Sequence, residues 1–332
     1  MTRIAIVGTG AWGTALAVHG ASAGLDVALL GRRPDVVARL AATRAHPALP
    51  GAPPITARVT VTTNAAEAFE GAAAVLWSVS VQATAQELER LGPSLPDVPL
   101  VATSKGLEIG SRRRTTEIMS FVTGRKAGLA VLSGPTFAAE VARGLPAAAV
   151  VASADPEVAT ALQALLSSPT LRLYRSADVL GVEISGASKN VVAIAAGLVD
   201  GLRLGHNTRA ALLTRALAEI RRLGTRLGGS PETFAGLAGV GDLILTATGD
   251  LSRNRRVGLA LASGTSLPDA VASLGGEVAE GVATSPVLLE LAEKAGVEMP
   301  IAAMVASILS GRTTPTDAVR NLMTRALKEE KV

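Results

Sequence analysis

The first half of the chain alternates short apolar runs with amphipathic stretches. The apolar runs are rich in Val, Ile, Leu and Ala and are mostly bounded by turn or cap residues, which is typical of buried strands. They lie at Arg3–Val7, Asp26–Leu30, Ala74–Val79, Leu100–Thr103, Leu129–Ser133 and Ala147–Ala152. Helical periodicity between them predicts helices at Ala11–Ala23, Pro34–Ala42 and Ala83–Leu91. Alternating strands and helices predict a mostly parallel sheet with right-handed crossovers.

After about residue 180 the strand pattern stops and helical periodicity continues alone. The predicted helices are Ile184–Gly201, Arg209–Leu227, Val257–Ala262, Leu267–Ser273, Ser285–Ala295, Ile301–Ser310 and Thr316–Leu327. We therefore expect an α/β domain at residues 1–180 and an all-α domain at residues 181–332, with a ligand cleft at their junction.

The composition narrows the chemistry that the chain can perform. Of the 332 residues, 48% are hydrophobic and 18% are charged, as expected for a folded protein. The chain has no cysteine, and its three histidines, His19, His46 and His206, are scattered. A thiolate metal site and a cysteine nucleophile are therefore excluded, and we expect no metal site. The chemistry must come from Lys, Asp, Ser, Thr, Asn or a bound cofactor.

The charge and the N-terminal sequence indicate the kind of partner and the location. The formal net charge is +4 and the basic residues are scattered, which favours anionic small molecules over nucleic acid. The N-terminus runs straight into a predicted strand without a signal-peptide pattern, and no apolar run approaches the ~20 residues of a membrane span. We expect a cytoplasmic protein without a membrane span. A homodimer is expected because symmetric pairs are the commonest assemblies.

A glycine-rich loop follows the first predicted strand and opens the first helix. Gly8 would permit a tight turn, Gly10 would let the backbone approach a pyrophosphate, and Gly13 would let the helix pack closely on the strand. The helix N-terminus would then face the anion. A strand before the loop, a helix after it and a second strand about 20 residues on are the context that a Rossmann-type dinucleotide site requires.

The end of the second strand indicates which dinucleotide binds. Arg32 and Arg33 stand where an acidic residue would take the ribose 2′-hydroxyl of NAD, and arginine accommodates a 2′-phosphate. Asp35 lies beyond Pro34 and suits a cap of the next helix. We predict a nicotinamide cofactor, NADPH or NADH, with NADPH accepted at least as well as NADH. Two solvated surface arginines are the alternative interpretation.

Two lysines are candidates for the proton transfer that must accompany hydride transfer to a carbonyl. Lys105 lies in the segment Thr103–Leu107, and Lys189 lies in an otherwise apolar predicted helix, Val182–Val199. Burial of Lys189 would lower its pKa toward the working range. The alternative is a surface lysine whose stem covers apolar residues.

Two further segments carry polar groups suited to a phosphorylated substrate. Asp242 follows a turn at Gly239–Gly241 that we expect to be flexible. Ser252–Arg256 combines arginines with hydroxyl and amide donors near a predicted helix start. A fork-shaped guanidinium beside such donors suits a phosphate monoester, although a solvated basic face remains an alternative.

Several blocks, in order and at compatible spacing, resemble the bacterial NAD(P)-dependent sn-glycerol-3-phosphate dehydrogenases nearly end to end. They are Gly8–Gly13, Thr103–Glu108, Ser133–Ala138 with Glu140, Lys189–Asn190, Gly239–Leu243, Ser252–Arg256 and Glu280–Gly281. The resemblance implies a Rossmann-type domain followed by an all-α domain like that of 6-phosphogluconate dehydrogenase. It also implies reduction of dihydroxyacetone phosphate to sn-glycerol 3-phosphate, a precursor of phospholipids.

The resemblance further implies roles for individual residues. Lys189 would be the proton donor and acceptor, with Lys105 and Asp242 completing the polar site around the carbonyl. The residues that would hold the substrate with these three are Gly134, Thr136, Ser252, Arg253 and Asn254. The dinucleotide would be lined by the three glycines of the loop and by Arg33. The other positions that would line it are Ala11, Trp12, Arg32, Lys105, Ala138, Arg253, Val278 and Glu280.

The chain departs from the family pattern after the third predicted strand. Ser80-Val81 replaces the usual Pro-Ser, and Trp77 is bulky for a buried strand, so a contact of this turn with the cofactor is in question.

Two other readings remain open. A β-hydroxyacid-type dehydrogenase shares the domain plan but places Lys and Asn four positions apart, whereas Lys189 and Asn190 are adjacent and Ala193 stands at the fourth position. A non-catalytic NAD(P)H sensor would need the glycine loop but not the lysines, Asp242 and the arginine cluster together. A UDP-sugar dehydrogenase is excluded because it needs a cysteine nucleophile.

Overall fold

The computed structural model describes residues 2–324 and 329, and these form two compact units. The first contains the residues up to Ser104 together with Thr115–Val179, and the second contains Lys105–Arg114 together with the chain from Leu180 onward. The segment Lys105–Arg114 therefore belongs to the helical unit, although it lies in the first half of the sequence.

The first unit is built on one sheet of eight strands within the described residues. The strands are β1 (Arg3–Val7), β2 (Asp26–Leu30), β3 (Val59–Thr62), β4 (Ala72–Trp77), β5 (Leu100–Ala102), β6 (Leu129–Ser133), β7 (Ala147–Ala152) and β8 (Leu171–Ser176). Their order is β3-β2-β1-β4-β5-β6-β7-β8, and every neighbouring pair is parallel except β6 and β7. The first six strands have the order of a doubly wound dinucleotide-binding sheet, whose ligand crevice lies where the order reverses, beside β1.

Seven helices accompany these strands in the described part of the first unit. They are α1 (Ala11–Ser22), α2 (Pro34–Thr43), α3 (Ala65–Phe69), α4 (Val81–Leu91), α5 (Thr115–Thr123), α6 (Ala138–Ala142) and α7 (Pro156–Leu166). Local sequence sets their starts: the carboxylate of Asp155 accepts hydrogen bonds from the amides of Glu157 and Val158 at the start of α7, where Pro156 fixes the first helical residue. The core consists of aliphatic side chains of the strands, including Ile4, Ile6, Leu29, Leu76 and Val101.

The second unit contains helices and no strand among its described residues. Its helices are α8 (Val179–Gly201), α9 (Gly205–Arg226), α10 (Pro231–Ala235), α11 (Asp242–Thr248), α12 (Arg253–Ala262), α13 (Leu267–Ala272), α14 (Glu280–Lys294), α15 (Pro300–Leu309) and α16 (Pro315–Met323). The central helix is α8, nearly all of which is buried among its neighbours. Length and composition alone would allow α8 to cross a membrane, but 89% of its most apolar window is buried inside the protein.

The fold class predicted from the sequence is confirmed, and the differences concern less obvious elements. All six predicted strands are present, but β3 and β8 were not predicted. On β8, buried Leu171 and Leu173 alternate with exposed Arg172 and Tyr174, so this edge strand lacks the continuous apolar run that identified the others. The predicted helix Thr316–Leu327 corresponds to α16 over its first part, and residues 325–328 lie outside the described residues.

Six helices were also not predicted: α3, α5, α6, α7, α10 and α11. The segment Gly239–Gly241 is not a flexible turn, because it lies within a π-helical turn, Leu237–Gly241, that leads directly into α11. A Cβ on Gly239 would lie 2.1 Å from the carbonyl oxygen of Phe234, so this glycine permits close backbone packing.

Candidate active site

The glycine loop after β1 has the tight geometry that its sequence predicts. Gly8 has φ +114°, and a Cβ there would lie 2.5 Å from the carbonyl oxygen of Ser78, at the end of β4. A Cβ on Gly13 would lie 2.0 Å from the carbonyl oxygen of Gly8. Around Gly10, by contrast, a Cβ would meet no heavy atom of the protein within 4 Å. Two glycines therefore allow the loop to fold, while the third leaves open space beside its backbone.

The N-terminus of α1 is suited to an anion. Gly10 is the N-cap residue with extended backbone, no side chain caps the helix, and its first turn carries no acidic residue. The first amide groups of a helix have no partner within the helix and carry the positive end of its dipole. An open glycine backbone at such a helix start fits the pyrophosphate of a dinucleotide.

Arg32 and Arg33 are exposed at the end of β2, and neither guanidinium group makes a hydrogen bond or ion pair with the described residues. Both guanidinium groups are thus available to an anion. The prediction that Asp35 caps α2 is wrong: Arg33 is the N-cap residue, Pro34 follows it, and Asp35 lies inside the first turn. In this position the carboxylate still interacts favourably with the positive end of the helix dipole.

Gly134, Thr136 and Ala138 lie together after β6 in the first unit. Gly134 has φ +149°, and a Cβ on it would approach the Cα of Ala149 on β7 to 2.8 Å, so local packing demands glycine. The hydroxyl of Thr136 donates a hydrogen bond to the carbonyl oxygen of Gly134 (3.1 Å). Ala138 begins α6 and packs with Trp12 of α1 against one small apolar cluster, which places it beside the glycine loop.

The departure from the family pattern after β4 is accommodated with the Trp77 ring fully buried. Trp77 is fully buried, and its indole nitrogen donates a hydrogen bond to the hydroxyl of Thr84 (3.3 Å). That hydroxyl donates in turn to the carbonyl oxygen of Ser80, the N-cap residue of α4 (3.0 Å). The hydroxyls of Ser78 and Thr103 are 2.8 Å apart and join the ends of β4 and β5.

The second unit brings both candidate lysines to one carboxylate. Nζ of Lys105 lies 2.8 Å from Oδ2 of Asp242, and Nζ of Lys189 lies 2.5 Å from Oδ1 of the same residue. Lys189 also donates to the hydroxyl of Thr246 (2.7 Å), which donates to Oδ1 of Asp242 (3.3 Å). Asp242 is 1% exposed and Lys189 is 6% exposed, so these charges are almost removed from water.

Burial and neighbouring charge shift the pKa values of this cluster. Burial, opposed by the attraction of Asp242 and assisted by the positive charge of Lys105, lowers the pKa of Lys189 to about 7. Burial alone would raise the pKa of Asp242, but the charges and hydrogen bonds of the two lysines outweigh it and lower the pKa. The cluster therefore holds an ionised carboxylate and a lysine able to gain or lose a proton near neutrality.

A chain of amide hydrogen bonds connects this cluster to two other helices. The side-chain nitrogen of Asn190 donates to the carbonyl oxygen of Lys105 (2.9 Å), and its oxygen accepts from the side chain of Asn254 (3.0 Å). The oxygen of Asn254 accepts from the backbone amide of Gly281 (2.9 Å). The segment that carries Lys105 is thereby tied to α8, α12 and α14.

The predicted phosphate-binding segment lies at the start of α12. Ser252 is the N-cap residue, and its hydroxyl accepts a hydrogen bond from the amide of Arg255 (3.2 Å). The side chain of Arg253 makes no hydrogen bond or ion pair with the residues that the structure describes, so its guanidinium is available to a ligand. Val278, half exposed, and Glu280, the first residue of α14, lie near the Gly281 amide that bonds Asn254.

Two members of the lysine cluster were given no role in the sequence analysis. Thr246 contacts Lys189, and Asn190 holds the Lys105 backbone. The signal for Thr246 was its position four residues after Asp242, which places both side chains on one face of a helix. That signal was hidden because Gly239–Gly241 was interpreted as a flexible turn.

Among the described residues, no group of three or more His, Asp or Glu side chains could hold a metal ion.

Comparisons with known proteins cover both units. Residues 3–159 match the family model of the NAD-dependent glycerol-3-phosphate dehydrogenase N-terminus, and residues 178–320 match that of its C-terminus. The chain is 49% identical to glycerol-3-phosphate dehydrogenase [NAD(P)+] of Bradyrhizobium sp. (strain ORS 278), over 98% of each chain. It is 46% identical to the protein of that name from Geobacter sulfurreducens, over 99% of each chain.

Solved structures of glycerol-3-phosphate dehydrogenases have folds similar to that of this chain. The crystal structure of a glycerol-3-phosphate dehydrogenase from Coxiella burnetii is similar with a TM-score of 0.92 and 38% identity, over 98% of this chain and 99% of that one. A yeast glycerol-3-phosphate dehydrogenase structure has a TM-score of 0.81 at 24% identity, over 98% of this chain and 99% of that one, which is a likeness of fold.

Proposed function

The chain belongs to the NAD-dependent glycerol-3-phosphate dehydrogenase family, and from that premise we propose its reaction and the roles of its residues. It is an NAD(P)-dependent oxidoreductase that reduces dihydroxyacetone phosphate to glycerol 3-phosphate, a precursor of glycerophospholipids. The observation that carries the chemistry is the pair of lysines on the buried carboxylate of Asp242. NAD(P)H, when bound, supplies the hydride, so the chain itself must supply a proton, charge stabilisation and a phosphate site.

Lys189 is the proton donor in the direction of reduction and the acceptor in the reverse direction. Its Nζ gives a proton to the C2 oxygen of the substrate, and the resulting neutral amine is tolerated because the group is buried. A pKa of about 7 leaves both protonation states populated near neutrality, which is what a group that works in both directions requires. Asp242 holds the ammonium in place and remains ionised throughout.

Lys105 supplies a second positive charge next to the reacting oxygen. It shares Asp242 with Lys189, and its backbone is held by Asn190, so its ammonium is fixed before substrate binds. Preorganised charge of this kind stabilises the negative charge that develops on a carbonyl oxygen as hydride arrives. The hydroxyl of Thr246 holds the Nζ of Lys189 from another side, which fixes the direction of its protons.

Arg253 binds the phosphate of the substrate, together with Ser252 and Asn254. A guanidinium presents parallel N–H groups that match phosphate oxygens, and Arg253 has no competing partner among the described residues. The start of α12 adds the positive end of a helix dipole. We assign Gly134 and Thr136 to the substrate by resemblance.

The glycine loop holds the cofactor, with Gly8, Gly10 and Gly13 shaping a site for the pyrophosphate at the start of α1. Trp12 and Ala138 line the same site, as does Ala11 by resemblance, and we assign Val278 and Glu280 to the dinucleotide by resemblance alone. Arg32 and Arg33 take the 2′-phosphate, so NADPH is the preferred cofactor. The support for this preference is that both guanidinium groups are exposed without a partner among the described residues.

The assembly and location of the protein are part of the same proposal. We propose a homodimer, the commonest symmetric assembly, which light scattering coupled to size exclusion tests. A cytoplasmic location is proposed as well, and cell fractionation tests it.

The reaction is tested by following the oxidation of NADPH by the purified chain. Rapid oxidation that depends on dihydroxyacetone phosphate and yields glycerol 3-phosphate is expected. Oxidation with a β-keto acid but not with the triose phosphate would instead favour a β-hydroxyacid-type dehydrogenase. Tight binding of NADPH without turnover on either substrate would favour a non-catalytic sensor.

A further inference from the structure

Two arginines in the first turn of α12 have opposite surroundings. The guanidinium of Arg253 makes no hydrogen bond or ion pair with the described part of the chain. The Arg255 side chain, only 13% exposed, donates from all three of its guanidinium nitrogens: Nε and Nη2 donate to Oδ2 of Asp200 (2.9 and 2.7 Å), and Nη1 donates to Oδ1 of Asp250 (2.9 Å). Residues two apart on a helix point to roughly opposite sides. Arg255 is thus anchored on one side of the helix that presents Arg253 on another.

Asp200 is the partner that gives this anchor its strength. It lies in the last turn of α8, the helix that carries Lys189, and its side chain is 16% exposed. Asp250 is 96% exposed, and ion pairs with such solvated groups contribute little. The Arg255–Asp200 pair therefore connects the start of α12 to the helix of the proton donor.

The helices α8 and α12 also touch along their backbones. A Cβ on Gly197 would lie 2.1 Å from the carbonyl oxygen of Arg255, and one on Gly258 would lie 2.1 Å from that of Ile194. Such contact lets α12 approach α8 closely, and the two glycines contribute no side chains of their own to fix its rotation or sliding. The ion pair at the end of this contact, and the Asn190–Asn254 hydrogen bond, supply that constraint.

We propose that Arg255 and Asp200 are positioning residues for the substrate phosphate, acting by fixing the first turn of α12 so that Arg253 is aimed at it. This role rests on the proposed function. We do not assign Arg255 itself to the phosphate, because each of its guanidinium nitrogens already donates to a carboxylate. The basic cluster Ser252–Arg256 thus divides into a ligand-binding arginine and an anchoring arginine.

The chain offers a matched control for the anchor. Arg209 of α9 pairs with the same carboxylate, its Nη1 lying 3.1 Å from Oδ1 of Asp200, but it does not belong to α12. Replacing either arginine removes one positive charge and one ion pair from Asp200. Only the Arg255 replacement removes an ion pair between α12 and α8.

The test compares steady-state kinetics of Arg255→Leu and Arg209→Leu, each checked for folding by thermal unfolding. Arg255→Leu is expected to raise KM for dihydroxyacetone phosphate by about 10- to 100-fold, the cost of a slightly misplaced binding group. Its kcat and its KM for NADPH should change by less than about threefold, since Lys189 is untouched. Arg209→Leu should leave all three constants near wild type. If Arg255→Leu does not fold, Asp200→Asn replaces it and is expected to raise the same KM above that of Arg209→Leu.

A double variant separates positioning from general loosening. Since Arg255 acts through Arg253, adding Arg255→Leu to Arg253→Ala should raise KM no further, whereas independent effects would add. Additive losses, or equal KM values for Arg255→Leu and Arg209→Leu in an active enzyme, would overturn the positioning role alone. A wild-type chain that fails to oxidise NADPH with dihydroxyacetone phosphate would overturn the proposed function and this role with it.

Discussion

The two units prepare their anion sites in different ways. In the first unit, the site at the start of α1 is made of backbone: glycines at positions 8, 10 and 13 and unpaired helix amides. In the second unit, the site is made of side chains, with Lys105, Lys189 and Asp242 in one ion cluster and Arg253 at a helix start. The backbone site is contained in one short motif, whereas the side-chain site joins Lys105 to Asp242, which is 137 positions further along the chain.

The difference has a consequence for mutation. A side-chain site can be deleted one functional group at a time, and each deletion should remove one step of the chemistry. A backbone site can only be deformed, so its variants should lose stability or affinity by degrees. The following predictions test this contrast, beginning with the largest expected effect.

Lys189→Met should abolish most of the activity. Loss of the proton donor should lower kcat by about 10²- to 10⁴-fold, with NADPH affinity nearly unchanged. Steady-state kinetics and fluorescence titration of NADPH measure the two quantities. Lys294→Met, at an exposed lysine of α14, is the control for loss of a positive charge. A variant with wild-type kcat would remove Lys189 from the mechanism.

Arg253→Ala should be the next most damaging change. We expect a loss of about 2–5 kcal/mol of transition-state stabilisation, as for removal of one partner of a buried charge pair. The measurement is kcat/KM for dihydroxyacetone phosphate. Arg256→Ala, at an exposed arginine of the same helix, serves as the control and should lose little. Equal values for the two variants would refute the phosphate role of Arg253.

The backbone site should respond differently at two of its glycines. Gly13→Ala places a methyl group against the carbonyl of Gly8, and we expect the free energy of unfolding to fall by about 1–3 kcal/mol, as for overpacking. Gly10→Ala has room in the free protein and a negative φ, so stability should be nearly unchanged while NADPH affinity falls. Denaturant unfolding and NADPH titration of both variants give the comparison. Equal losses of stability in Gly13→Ala and Gly10→Ala would contradict the different roles assigned to the two glycines.

Arg32→Ala combined with Arg33→Ala should show the smallest effect, confined to one cofactor. Loss of hydrogen bonds to a charged 2′-phosphate should raise KM for NADPH by about tenfold or more and leave KM for NADH nearly unchanged. Parallel assays with the two cofactors measure this directly. Equal increases in KM for NADPH and NADH would show that Arg32 and Arg33 do not bind the 2′-phosphate.

The same contrast explains what the sequence could predict. The glycine loop, its flanking strand and helix and the fold class follow from local pattern, because the motif and its function are contiguous. The grouping of Lys105, Lys189 and Asp242 was inferred from family resemblance, since nothing in the spacing of these residues places them together. Thr246 was missed because its helix begins inside a glycine-rich segment that resembles a turn. The different roles of Arg253 and Arg255 depend on the ion pair between Arg255 and Asp200. No local pattern could predict this pair, because Asp200 lies on another helix.

The central claim is that Lys189 carries the transferred proton with a pKa near neutrality. Reduction needs the protonated amine, so kcat for reduction should fall as the pH rises through about 7. Oxidation of glycerol 3-phosphate needs the neutral amine, so its kcat should rise over the same interval. The most direct measurement is the pH dependence of kcat in both directions for the wild-type enzyme. Opposite transitions centred near pH 7 are the predicted result, and flat profiles or transitions of the same sign in both directions would contradict the account.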